Sequence, residues 1–148
     1  MLVTVVATLG MAPAVQAATF TVDVLADTAP DALPNNGCEA LAGNTCTFRE
    51  AILKANNSVG TDVISFGTIA ANSVVGIGTP TLSVTERVTI NAGFGPTIEI
   101  NGPGPASATA GLEFTEAADN SVVSGLAIVD FDRGIVLNGA DSVQITGN

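Results

Sequence analysis

From Val63 onward, short apolar runs alternate with turns rich in Gly, Asn and Pro. The runs are VISF at 63–66, LSV at 82–84, VTI at 88–90, IEI at 98–100, LEF at 112–114, LAI at 126–128, IVL at 135–137 and VQI at 143–145. Their prevailing period of two marks half-buried strands. A longer period lies over it. Gly111-Leu112-Glu113-Phe114 matches Gly134-Ile135-Val136-Leu137 after 23 residues, and Val123-Ser124-Gly125 matches Ile145-Thr146-Gly147 after 22. A repeat near 22 residues built from very short strands predicts an all-β solenoid. The alternative, a β-sandwich, wants longer strands and no fixed period. Asn91, Asn101 and Asn138 each follow an apolar strand position. Asn tolerates left-handed backbone, so these residues are expected at sharp bends, with their amides stacked as a ladder.

One stretch breaks the pattern. CTFREAILKANN, residues 46–57, reads as a helix. Thr47 and Glu50 have the spacing of a capping box. Phe48, Ile52 and Ala55 share one face, and Lys54 follows Glu50 in the favourable ion-pair order. Asn56, Asn57, Ser58 and Gly60 end it. Two or three turns are marginal alone, so the Phe48/Ile52 face must dock.

Composition narrows the picture. With 148 residues, the chain has room for one domain. It holds four Lys plus Arg against fourteen Asp plus Glu, a net charge of −10, and no His, Trp or Tyr. Its apolar content is mostly small and β-branched, which suits a narrow stacked core. The charge excludes phosphate-backbone recognition, so no nucleic acid is expected as a partner. An anionic membrane surface is excluded on the same ground.

The N-terminus, MLVTVVATLGMAPAVQAATF, reads as a signal peptide over residues 1–17. Val15 and Ala17 supply small residues at −3 and −1, with cleavage after Ala17 or Ala18. No Lys or Arg precedes the apolar run, and an uncleaved anchor is the alternative, although the run is short for a membrane span. The chain is therefore expected to be exported, extracellular or at the cell surface. Cys38 and Cys46, the only cysteines, then read as one disulfide. So short a loop is worth about 2–3 kcal/mol. A zinc site wants four ligands, and without His neither that site nor a Cys–His catalytic pair can be built.

Residues 18–70 resemble the CSLREA-type N-terminal domain of secreted bacterial right-handed parallel β-helix repeat proteins. The namesake motif stands here as Cys46-Thr47-Phe48-Arg49-Glu50-Ala51, followed by Ile52 and KANN. Thr47 replaces Ser and Phe48 replaces Leu, changes that keep the capping hydroxyl and the apolar anchor. The resemblance implies an N-terminal cap over 18–62, made of a strand, a disulfide loop and a helix. Parallel β-helix coils follow over 63–148 and stop in mid-coil, so the chain reads as an N-terminal fragment. Thr47, Phe48, Glu50 and Ile52 would form the helix that closes the first coil. Arg49 and Glu50 read as cap residues rather than catalytic ones.

For chemistry, the best cluster is VDFDRG, with Asp130, Asp132 and Arg133 in one turn. Parallel β-helices include polysaccharide lyases and hydrolases, in which acidic residues bind Ca²⁺ or act as acid and base and an Arg can take a proton. Three such residues suit Ca²⁺ poorly, because it wants six to eight ligands. The competing reading is a solvated turn in which Asp caps N–H groups and Arg133 pairs with an Asp. The 102–111 stretch, GPGPASATAG, reads as a loop excursion. No metal or cofactor is expected, with Ca²⁺ entering only under the enzyme alternative. The functional expectation is a secreted or cell-surface protein with a structural, adhesin-like or binding role, its partners polysaccharide or other cell-surface components. A secretion passenger or self-associating scaffold, and a polysaccharide-active lyase or hydrolase with catalytic coils beyond this stretch, remain the alternatives.

Overall fold

The computed structural model describes residues 17–27, 38, 45–67, 69–78, 81–93, 98–107 and 109–148. Apart from Ala17, the expected leader lies outside them. The elements run β1 (Thr19–Thr21), α1 (Phe48–Asn56), β2 (Asp62–Ser65), β3 (Val74–Gly76), β4 (Leu82–Val84), β5 (Val88–Asn91), β6 (Ile98–Asn101), β7 (Ala110–Thr115), β8 (Val122–Ser124), β9 (Leu126–Val129), β10 (Arg133–Asn138) and β11 (Gln144–Thr146). Strands β1-β2-β5-β8-β11 form one sheet, β3-β6-β9 a second and β4-β7-β10 a third. Every strand pair is parallel.

Like stacks on like across these sheets. Phe20, Ile64, Ile90, Val123 and Ile145 stand in register in the first sheet. Val75, Ile100 and Ile128 do so in the second, and Val84, Phe114 and Leu137 in the third. Branched side chains fit this pleated, half-buried surface. The buried inward positions of all three sheets, together with Phe48, Ala51, Ile52 and Ala55 of α1, join one core, while Leu137 and Ile145 stay exposed.

That shared core corrects the expected fold class, an all-β right-handed parallel β-helix with a short capping helix. The described residues form three small parallel sheets with one helix, an arrangement of α/β type. The expectation rested on a fixed repeat, and the repeat does not hold. In the first sheet Asp62 pairs with Val88, 26 residues on, Thr89 with Val122, 33 on, and Val122 with Gln144, 22 on. Only the last pairings keep the spacing of 22–23 that the sequence repeats show. Two-residue alternation decides which side chains turn inward. It leaves open how the sheets and the helix share a core.

The helix is more enclosed than a docked amphipathic helix. Phe48, Glu50, Ala51, Ile52, Lys54 and Ala55 are all buried. The Glu50 N–H donates to Thr47 Oγ1 at 3.1 Å, which supplies the N-cap. On one side α1 packs against β4, β2 and β1. The 22–27 segment is tied to it as well. Arg49 Nε and Nη2 donate to Asp27 Oδ1 and Oδ2 at 2.6 and 2.9 Å, a mostly buried bidentate pair. Cys46 N–H donates to Asp23 Oδ1, and Cys46 is bonded to Cys38.

Two polar side chains finish the strand edges beside the helix. Asn56 donates from Nδ2 to Ser83 O and accepts the Thr85 N–H at Oδ1, both at 2.8 Å. Its amide thus pairs with β4 as another strand would. Asp27 Oδ2 accepts the Gly78 N–H just past β3. Open edges of this kind otherwise invite pairing with other chains.

The asparagine ladder is also corrected. Asn91, Asn101 and Asn138 end strands of three different sheets. Asn91 Oδ1 accepts the Gly93 N–H, Asn101 donates to Glu99 and Asp130, and Asn138 donates to Glu113. The left-handed positions fall instead at Asn72, Asn120, Asp130 and Ser142. Residues 102–104, at the start of the expected loop excursion, are fastened to their neighbours. Gly102 and Gly104 N–H donate to Val129 O and Asp130 O, and a side chain at Gly102 would strike the Phe131 ring.

Candidate functional site

Asp130 and Asp132 lie in the turn between β9 and β10, and Arg133 opens β10. Asp130 sits at φ 57°, a left-handed position that suits Asp in a tight turn. Its carboxylate accepts from Asn101 Nδ2 at 3.1 Å and its carbonyl from Gly104 N–H. Asp132 and Arg133 form an exposed pair at 3.5 Å, and both of their N–H groups donate to Thr109 O. Between Asp130 and Asp132, Phe131 turns inward over Gly102 and Gly111. All three candidates thus take part in holding the turn, and exposed pairs of this kind contribute little to stability. Among the described residues, no three His, Cys, Asp or Glu side chains are grouped to hold a metal ion.

A groove of about 580 Å³ lies elsewhere, lined by Ala17, Gly60, Thr61, Glu86, Arg87, Ala117 and Asp119. Three turns converge on it: the one before β2, the one between β4 and β5, and the 3₁₀ turn Glu116–Ala118. Arg87 Nη1 donates to Thr61 Oγ1 at 3.4 Å, and Asp119 Oδ1 accepts the Asp141 N–H at 2.6 Å. The groove therefore mixes one guanidinium with two carboxylates. Of its lining residues the sequence marked only Ala17, as a cleavage position, and Gly60, as a helix end; the groove itself went unseen because turns far apart in the chain bring its residues together.

The third feature is the outward face of the first sheet. Thr21, Ser65, Asn91, Ser124 and Thr146 stand in one cross-strand row, linked at Thr21–Ser65 and Ser124–Asn91 by side-chain hydrogen bonds. Thr19, Val63, Thr89, Val122 and Gln144 occupy a second row two positions before it. Neighbouring strands lie about 4.8 Å apart, so five strands span roughly 19 Å. The ten positions carry hydroxyls, amides and two valines, without a titratable group. Such a face presents repeated neutral donors and acceptors.

The disulfide agrees with an extracellular location, and no helix among the described residues is long and apolar enough to cross a membrane. Comparison with known proteins finds no matching family model, no matching curated protein and no matching solved structure.

Proposed function

We propose that the chain is an exported, non-catalytic protein with a structural or adhesin-like binding role at the cell surface. The outward face of the five-stranded sheet is the observation behind this reading. Its rows of short hydroxyl and amide side chains repeat at strand spacing, a pattern suited to a polymer that repeats its own hydroxyls. A net charge of −10 repels acidic polymers, so neutral polysaccharide is the partner that fits. Two further observations support export. The Cys38–Cys46 bond suits an oxidising compartment. Cys46-Thr47-Phe48-Arg49-Glu50-Ala51 resembles the CSLREA motif of secreted bacterial proteins.

Sedimentation with insoluble neutral and acidic polysaccharides, with Ca²⁺ added in parallel, tests the reading. The expected result is retention on a neutral polymer, lost in Ser65→Lys/Ser124→Lys and unchanged in Asp132→Ala. Release of reducing or unsaturated sugar that vanishes in Asp132→Ala would favour a lyase or hydrolase instead.

A further inference from the structure

The Ala18 N–H donates to Asp62 Oδ1 at 2.7 Å. Asp62 is fully buried at the start of β2, and among the described residues only Ser58 Oγ, at 3.4 Å, also reaches that oxygen. Oδ2 is buried and has no hydrogen-bond partner among the described residues. A buried carboxylate held by neutral donors on one oxygen alone is costly, since ionised groups inside a protein are normally paired. An amide offers a single N–H. An ammonium at the same nitrogen offers three, with a positive charge.

The sequence supplies a way to make one. Val15 and Ala17 have the small-residue spacing of a signal-peptidase site, and Ala17 is exposed beside the groove. We propose that cleavage of the Ala17–Ala18 bond creates an α-ammonium that forms an ion pair with the buried Asp62 carboxylate and locks β1 onto β2. The step is a hydrolysis. Water adds across the amide, Ala17 leaves with the new carboxylate, and Ala18 keeps the nitrogen, which is largely protonated at neutral pH with an ordinary pKa of about 7.7–8.0. No redox partner is needed. Ala18 is already held in place for this, because its carbonyl accepts the Val63 N–H at 2.8 Å next to the β1–β2 pairing. Removal of a leader thereby completes a core contact, and processing becomes part of folding.

The experiment compares the exported chain with its own N-terminally acetylated form, each with and without Asp62→Asn. Mass spectrometry of the exported chain should give Ala18 as the first residue. The free-amine form should melt about 5 °C above the acetylated form, a shift that the Asp62→Asn background abolishes. If Asp62→Asn fails to fold, the wild-type amine supplies the second readout. Its acylation should be at least about tenfold slower in native than in urea-unfolded protein, as a paired and part-buried group requires. A mature terminus at Thr19, equal melting of the free and acetylated forms, or equal acylation in native and unfolded protein would each overturn the proposal. Defined termini test the pair itself, whether or not the surface-binding reading holds.

Discussion

Phe48 and Leu137 both face the apolar interior of the sheets, yet Phe48 is fully buried and Leu137 is 47% exposed. Ile52 and Ile145 repeat the contrast at 2% and 45%. The difference lies in what covers each end. Beside β2 and β4, α1 lays its side chains over the core while Asn56 pairs with the β4 edge. On β10 and β11, Leu137 and Ile145 stand in register with buried Phe114 and Val123 and, among the described residues, have a neighbouring strand on one side only. Inward register is thus necessary for burial and insufficient for it. A core position in a stack of parallel strands needs a layer on both sides.

Substitutions at the covered end should break this contrast most severely. Phe48→Asp puts a charge where a phenyl ring now sits 5.3 Å from Phe66. The expected cost is more than about 4 kcal/mol with aggregation, read by urea unfolding and light scattering. Replacing Cys38 and Cys46 together by Ser releases the chain leading into the helix and should cost about 2–3 kcal/mol in the same assay. Asn56→Ala leaves Ser83 O and Thr85 N–H without their partner, for about 1–2 kcal/mol. On β10, Leu137→Ser should shift stability by under about 1 kcal/mol, because much of the Leu137 side chain is already exposed. Asp132→Ala in the exposed turn should fall within about 0.5 kcal/mol of wild type.

Local signals in the sequence survive this contrast and long-range ones do not. The pairings Leu112–Ile135 and Val123–Ile145 follow the matched segments directly, and the Thr47 cap follows its spacing. β3 escaped notice because Val75 and Ile77 turn inward around Gly76 in a run rich in Gly, where the alternation is too short to stand out from a turn. β8 surfaced as a repeat rather than as a strand for a similar reason, since Val123 alone of its three residues is buried. Arg49 was legible as a helix residue, but its partner Asp27 lies 22 residues earlier with nothing local to mark it. Asp62 and the groove residues are set by tertiary packing in the same way. Among the candidate site residues, the turn at 130–133 was visible because Asp, Arg and Gly cluster between two apolar runs. Its bonds to Asn101 and Thr109 were not.

Native-state hydrogen exchange tests the central claim, that α1 and the strands beneath it form one cooperative core from which β10 and β11 open separately. The account predicts that the amides of Ala51 in α1, Ile64 in β2 and Ile90 in β5 exchange only through global unfolding, with a common free energy. The amides of β10 and β11 should exchange through a separate opening at least about 2 kcal/mol lower. Faster exchange in α1 than in β10 and β11 would contradict the account, because the helix would then be an appendage to the core rather than part of it.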